Sequence, residues 1–335
     1  MLSLLIGDPH YTPEHQKDCE ALLGFIYETV CARQIESVVF MGDQYHSHNI
    51  IDTRGVEFWS RWFTNLQAVT QVVALVGNHD LVSPTSQFPH AMIAHPNIKT
   101  VDVPQLLYPG IAAMPYYPDP VDFLRAALAL YESEGHPHTL LCHQTFYGAQ
   151  YHDSFYAKDG VDPGSLPFKK VISGHIHKRQ DVGQVTYVGS PRWMTKTDAN
   201  EFKFISLVEH SVDSLTWDSS YATGKVCRMI WAYDDRPDAP ILDDDHLDGV
   251  RATDDIRFSI YGTPTHVRER QNHLRARFPG CKTRLFIEKA RRTEVSESLG
   301  VEASFEKFTT SFVPPFGSPI DKLKNAINER MKRNG

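Results

Sequence analysis

Five short polar segments, each carrying a histidine and each closing an apolar run, constrain this chain more than any other feature of its sequence. They are Gly7-Asp8-Pro9-His10, Gly42-Asp43-Gln44-Tyr45-His46, Gly77-Asn78-His79-Asp80, Cys142-His143-Gln144 and Gly174-His175-Ile176-His177. The runs ahead of them, Leu2–Ile6, Ser37–Met41, Gln71–Val76, Thr139–Cys142 and Lys170–Ser173, read as strands buried on both faces. Helical spacing over Cys19–Ile35, with Leu22, Phe25, Ile26 and Val30 on one face, and over Val56–Val69 and Asp122–Glu134, supplies the crossovers. In open α/β sheets, sites form at the carboxyl ends of strands. Asp8, Asp43 and Asn78 therefore fall at three successive strand ends. Val185–Val188, Phe202–Glu209 and Lys225–Ala232 follow without intervening helices and predict an antiparallel continuation. The fold class expected is α/β, a two-sheet α/β sandwich rather than a plain doubly wound sheet.

One histidine near a strand end is ordinarily a surface or hydrogen-bonded residue, and Gly-Asp and Gly-Asn are common turn dipeptides. Five such segments at five strand ends are hard to obtain from turn chemistry alone. Asp-x-His and His-x-His also project two side chains to the same side of an extended segment, because side chains alternate with period two. Two aspartates, one asparagine and several histidines make a ligand set for two metal ions sharing a bridging carboxylate, an arrangement suited to hydrolysing a phosphate ester. Carboxylate, amide oxygen and imidazole without thiolate favour manganese or iron over a structural zinc site. His79 remains available as an acid that protonates the leaving oxygen.

The 335 residues point to two domains with a small appendage. No apolar run approaches the roughly 18–20 residues of a membrane span, and Met1–Ile6 reads as a buried strand rather than a signal peptide. Five cysteines without close pairing predict reduced thiols and a cytoplasmic protein with no membrane contact; Cys142, although beside His143, reads as a buried strand residue. The net charge of −7 argues weakly against nucleic-acid binding, but it averages over blocks of opposite sign. Arg268 to Arg292 holds nine Lys/Arg against two Asp/Glu, whereas Asp234 to Asp248 holds seven Asp against one Arg and reads as a linker. Beyond the linker come a strand at Asp255–Tyr261, a helix at Pro264–Phe278 and a strand at Lys282–Lys289, a β-α-β piece too small for a robust domain of its own. The tail predicts a Phe305, Phe308, Phe312 stripe and a final amphipathic helix capped by Ser318-Pro319, with Ile320, Leu323, Ile327 and Met331 on one face.

The five blocks, in this order, resemble the calcineurin-like metallophosphoesterase signature. That resemblance implies Asp8, His10, Asp43 and His177 around a first metal and Asp43, Asn78, His143 and His175 around a second, with Asp43 bridging. It implies His79 as the leaving-group acid or transition-state stabiliser. The protein phosphatases of this superfamily carry Gly-Asp-x-x-Asp-Arg-Gly and Gly-Asn-His-Glu, which Gly42–His46 and Asp80 do not reproduce. The chain is instead similar to the SbcD-type nuclease subunit of double-strand-break repair complexes, phage recombination nucleases included. His46, three residues after Asp43, matches a histidine that positions DNA in some members. The stretch Val185-Thr186-Tyr187-Val188-Gly189-Ser190-Pro191 resembles the family's Tyr-x-Gly-Ser/Thr-Pro segment. Pro9 departs from the pattern, standing where an aromatic or small polar residue is more usual.

Carried over roughly residues 1–290, the resemblance implies a metallophosphoesterase domain at 1–235 and a DNA-capping domain at 250–292; the tail is similar to the family's in character rather than in a motif, which implies a helical docking segment at 294–335. It implies a DNA phosphodiesterase with exonuclease and single-strand endonuclease activity and two divalent ions, Mn²⁺ ahead of Fe²⁺ or Mg²⁺. DNA, an SbcC-type coiled-coil ATPase and a second copy of the chain are the implied partners. Arg268, Arg270, Arg275, Arg277, Lys282 and Arg284 are candidates for phosphate contact, set against the plainer reading of a solvated helix face. A small-molecule phosphodiesterase or phosphomonoesterase, and a catalytically degenerate scaffold, are the alternatives. His48, His90, His95, His136, His138 and His152 read as structural or surface residues.

Overall fold

The computed structural model describes residues 1–83, 85–86, 88–152, 155–235, 250–251 and 253–287. The chain divides into two compact units, Met1–Phe286 and Ile287–Gly335. The end of the strand read to Lys289, the phenylalanine stripe, the Ser318-capped helix and the 294–335 docking segment lie outside the described residues, as does most of the acidic linker.

The first winding runs β1 (Leu2–Ile6), α1 (Gln16–Arg33), β2 (Ser37–Phe40), α2 (Thr53–Gln67), β3 (Gln71–Leu75) and β4 (Lys99–Val101). The second runs β5 (Gln105–Tyr108), β6 (Ile111–Ala113), α3 (Pro120–Ser133), β7 (Thr139–His143), a small hairpin of β8 (Gln150–His152) and β9 (Phe155–Tyr156), then β10 (Lys170–Gly174), β11 (Gln180–Val182) and β12 (Val185–Tyr187). β13 (Phe204–His210) and β14 (Leu215–Ala222) then return to the first sheet. The two six-stranded sheets have the orders β14-β13-β1-β2-β3-β4 and β11-β12-β10-β7-β6-β5. β1, β2 and β3 are parallel, as are β7, β10 and β12, while β13 joins β1 antiparallel.

Alternation along the strands builds the layers. In β1, Leu4 and Ile6 face α1 and α2, meeting Leu22, Ile26, Phe58, Trp59 and Phe63. Leu5 faces the other way, into a seam with Val39, Met41, Val73, Leu141, Ile172 and Val188 drawn from both sheets. Leu140 and Val171 turn outward onto Phe123, Ala127 and Leu130 of α3. Fully apolar strands are thus required by two covered faces, at roughly 1.5–3 kcal/mol per large side chain buried. The helices open on Asp52 and on Asp119-Pro120, whose side-chain oxygens accept amides of the first turn.

The five strands that end in the polar segments lie within a residue of their sequence expectation, β4 and β6 are not anticipated from sequence, and the two-sheet sandwich is the fold observed. One strand differs. The segment expected at Lys225–Ala232 as part of the antiparallel continuation forms β15 (Ile230–Asp235), which pairs parallel with β16 (Asp255–Gly262) in a separate three-stranded sheet completed by β17 (Lys282–Ile287). Helix α4 (Pro264–Arg277) covers that sheet, and Ile256, Phe258, Ile260, Val267 and Leu274 form its small core. The preceding strand contributes half-buried Trp231 and Tyr233 to that core. Among the described residues no helix is long and apolar enough to cross a membrane, and all five cysteines are free thiols.

Candidate metal centre

The carboxyl ends of β1, β2 and β3 in one sheet meet those of β7 and β10 in the other. Asp8 and His10 follow β1, Asp43 follows β2, Asn78 and His79 follow β3, His143 ends β7, and His175 and His177 follow β10. The strands deliver these residues, but tight backbone conformations aim them. His10, Asp43 and His175 adopt positive φ of 46°, 55° and 80°, a region that costs non-glycine residues energy and concentrates at functional sites. Gly42 and Gly77 allow the approach: a Cβ at Gly42 would overlap the His143 ring, and one at Gly77 the Asp43 carboxylate.

The side chains converge in two groups. In the first, His10 Nε2 lies 3.0 Å from His177 Nε2, and His177 Nε2 lies 3.9 Å from Asp8 Oδ2. In the second, Asp43 Oδ2 lies 3.4 Å from His143 Nε2, while Asn78 Oδ1 lies 3.0 Å from His143 Nε2 and 2.7 Å from His175 Nδ1. Asp43 Oδ2 is also 3.5 Å from His10 Nε2, so this carboxylate reaches both groups. Within Asp8, His10 and His177, and again within Asp43, His143 and His175, the ligand atoms lie within 4.8 Å of one another, close enough to hold an ion each. The structure thus brings together all seven side chains that the sequence nominates as metal ligands. Cys142 points elsewhere; it is buried, and burial pushes its thiol up to about 12.

The donor set fits divalent cations. Asp8 is 1% exposed, yet neither carboxylate oxygen has a hydrogen-bond partner. Burial, opposed by His143 and reinforced by Asp43, raises its carboxyl to about 7. A buried carboxylate without partners is costly unless a cation compensates it. Burial also lowers His175 to about 3 and His177 to about 4, leaving both imidazoles neutral, the form in which they ligate metal. His143 behaves differently: burial opposes its charge, but Asp43 and Asp8 raise it to about 9. Burial likewise opposes the charge of Asp43, which His143 and His10 hold well below the usual carboxylate range.

Three supports come from residues that sequence reading passes over. Asp80, the last residue of its segment, accepts the amides of Asp43 (2.9 Å), Tyr45 (3.0 Å) and Gly77 (3.0 Å), tying the β2 loop to the β3 loop. Arg192 is buried, and its Nε donates to Pro9 O at 2.7 Å while Nη2 donates to His10 O, fastening the Asp8–His10 turn. Lys203 is buried against Asp198 (2.9 Å) and Glu201 (2.7 Å) and donates to His177 O at 3.0 Å. Asp198 Oδ1 lies 3.8 Å from His177 Nδ1, beyond hydrogen-bond reach but close enough to act on the ring electrostatically. Of these, only the carboxylate ending Gly77-Asn78-His79-Asp80 leaves a local trace.

His79 and His46 sit at the rim. The His79 amide donates to Asp43 Oδ1 at 2.8 Å, and its Nδ1 lies 2.6 Å from the His46 carbonyl oxygen. The His46 and His79 rings stack at 5.4 Å, and His46 Nδ1 lies 3.3 Å from His10 Nδ1. His48, read from sequence as structural or surface, also stacks on His79, with ring centroids 4.5 Å apart. His152, given the same reading, lines a cavity of about 230 Å³ with Asp43, His79, Tyr151, His175 and His177.

Of the six candidate DNA contacts, four lie on α4 and two on β17 of the small sheet, and they do not form one face. Val267 and Leu274 bury one seam of α4. At 3.6 residues per turn, Arg268 and Arg275 share one flank of that seam and Arg270 and Arg277 the other. Lys282 on β17 pairs with Asp255 at 3.1 Å, and the Arg284 guanidinium lies 5.0 Å from the Phe286 ring.

A family model for calcineurin-like phosphoesterases matches residues 1–179, more than half of the 335-residue chain. That span takes in all five polar segments. No curated protein matches the chain.

Proposed function

The chain belongs to the calcineurin-like phosphoesterase family, and we propose that within it this protein is a two-metal DNA phosphodiesterase, with exonuclease and single-strand endonuclease activity. The observation that carries the chemistry is the buried Asp8 carboxylate, whose oxygens have no hydrogen-bond partner, set among the ligand imidazoles, with Asp43 within reach of both ligand groups. Asp8, His10, Asp43 and His177 would hold one cation and Asp43, Asn78, His143 and His175 the other; the oxygen–imidazole set suits Mn²⁺ or Fe²⁺, and the resemblance puts Mn²⁺ ahead of Fe²⁺ or Mg²⁺. Bound there, two cations supply charge for the phosphate oxygens and a water acidified enough to attack phosphorus.

The chain's own residues supply the rest. With Nδ1–H donating to the His46 carbonyl, the proton His79 can deliver is the one on Nε2, and His79 lines the cavity where a leaving oxygen would depart. His46, stacked on His79 and exposed, is placed to steer the scissile strand. Lys203, Asp198 and Arg192 hold the ligand loops still, so that little reorganisation accompanies reaction.

The substrate half of the reading rests on the resemblance to SbcD-type nucleases and on the basic residues of the small sheet. In it, residues 250–292 cap DNA, the 294–335 segment docks an SbcC-type ATPase, and the nuclease works as a homodimer. The deciding assay compares hydrolysis of linear duplex DNA, single-stranded circles and bis-p-nitrophenyl phosphate with Mn²⁺, Fe²⁺ or Mg²⁺. Cleavage of both DNA forms supports the nuclease; hydrolysis of the small ester alone turns the reading toward a small-molecule phosphodiesterase. Removing the residues after Glu294 should abolish ATPase association and spare basal cleavage, and undiminished association would refute the docking role.

A further inference from the structure

The hairpin β8–β9 contributes little to the fold. None of its described residues is fully buried, and Phe155 and Tyr156 are 56% and 49% exposed, with Tyr147 at its base 59% exposed. Its position is nevertheless held firmly. Gln150 N donates to Gln180 Oε1 at 2.7 Å, Gln180 Nε2 donates back to Gln150 O at 2.7 Å, and Lys178 Nζ donates to Gln150 Oε1 at 2.6 Å. Lys178 and Gln180 belong to the segment directly after His177, so the hairpin is fastened to the loop that carries a candidate ligand.

Its aromatic rings run outward from the metal cavity. Tyr151 and His152 line that cavity with His79, His175 and His177. Phe155 touches both, with ring centroids 5.5 Å from Tyr151 and 5.5 Å from His152, the latter nearly parallel at 17°. Exposed flat rings that adjoin a phosphate-chemistry site, with a lysine alongside, are the elements of a single-strand stacking platform.

We propose that this hairpin is a nucleobase subsite: Phe155, with Tyr151 and His152 behind it and Tyr156 beside it, stacks an unpaired base next to the phosphate held in the cavity. The occupant is a base of single-stranded nucleic acid, because a base within a duplex has both faces covered. The inference deepens the nuclease reading and rests on it for the placement of the phosphate.

The test uses the full chain and a short single-stranded thymidine oligonucleotide carrying 5-iododeoxyuridine. Illumination should cross-link the base to residues within 147–156, mapped by mass spectrometry. Phe155→Ala should raise the oligonucleotide Kd about tenfold, Phe155→Trp should restore it, and Mn²⁺ affinity should stay unchanged in both. An abasic strand of equal length should bind more weakly and ignore the Phe155→Ala change. Cross-links confined elsewhere, an equal loss on the abasic strand, a fall in Mn²⁺ affinity, or failure of the chain to bind the oligonucleotide at all would each overturn the subsite. A chain that binds the base through this hairpin but never cleaves the strand would sink the nuclease reading and leave the subsite standing.

Discussion

Two aspartates of the strand-end cleft, Asp8 and Asp80, are displaced upward, whereas Asp43 between them and the aspartates of the small sheet are displaced downward. Burial raises Asp8 to about 7, and burial with the neighbouring charge of Asp43 raises Asp80 to about 8. In the small sheet burial also works against Asp254 and Asp255, but cations within reach overcome it. Arg251 and the Trp231 indole bond Asp254, Arg257 and Lys282 bond Asp255, and both carboxyls end below the usual range. The difference teaches which region awaits a ligand. Where charge is matched by neighbouring side chains, the structure is complete in itself. In the cleft, Asp80 is bound by three backbone amides, but the Asp8 oxygens have no hydrogen-bond partner, and that carboxylate is held for something that is not part of the chain.

The largest test falls on the cleft. His79→Ala should reduce kcat by about 10²–10⁴-fold with metal content near that of the parent, as read by metal analysis beside DNA cleavage. Full activity in that variant would remove the acid role and leave the cleft an electrostatic site only.

A second test uses the sign of the displaced carboxyls. A folded-state pKa raised above the unfolded value contributes stability at low pH that is lost as pH rises through the folded pKa. Above pH ~7.5 the buried histidines with lowered pKa are almost wholly neutral both folded and unfolded, so they drop out of the balance. Asp80 and His143, at about 8 and 9, then act in one direction. Metal-free protein should therefore lose stability, on the order of a few kcal/mol, between pH ~7.5 and ~9. Added Mn²⁺ should restore it, because the ion binds only the folded form. Denaturant melts across that range decide the matter, and a flat metal-free profile would dissolve the contrast between the two regions.

The smallest effect belongs to the small sheet. Arg268→Glu with Arg275→Glu reverses one flank of α4, and Arg270→Glu with Arg277→Glu the other. If DNA lies along one flank, only that pair should weaken binding, and the magnitude of its log–log salt slope should fall by about 2. Anisotropy titrations at several salt concentrations would show this, and an unchanged slope in both pairs would exclude α4 as a phosphate-contacting surface.

How much of this was legible in the sequence differs along the chain. The five strands that carry the ligands could be read because two covered faces demand an unbroken apolar run, and the segments after them could be read because polar residues have no place in such a run; β4, three residues long and only half buried, offers no such run. β14 escaped notice: its side chains alternate between half-buried and exposed beyond Leu215, with no apolar stripe. β15 was seen but assigned to the wrong sheet, because Ile230–Asp235 carries no mark of which edge it will join. The hairpin's role was also hidden, since His152 becomes part of the cavity only after β10 and its following loop are in place.

The sequence alone determined the ligand types, their order, and the chemistry that carboxylate, amide and imidazole can perform together. Tertiary structure decided their aim. Arg192 reaches the Asp8–His10 turn across more than 180 positions of chain, and Lys203 reaches His177 across 26. Positive φ at His10, Asp43 and His175 persists because the packed loops around those residues leave no alternative. Burial periodicity is written locally in a strand, whereas convergence of two sheet edges is a long-range closure that no local pattern records.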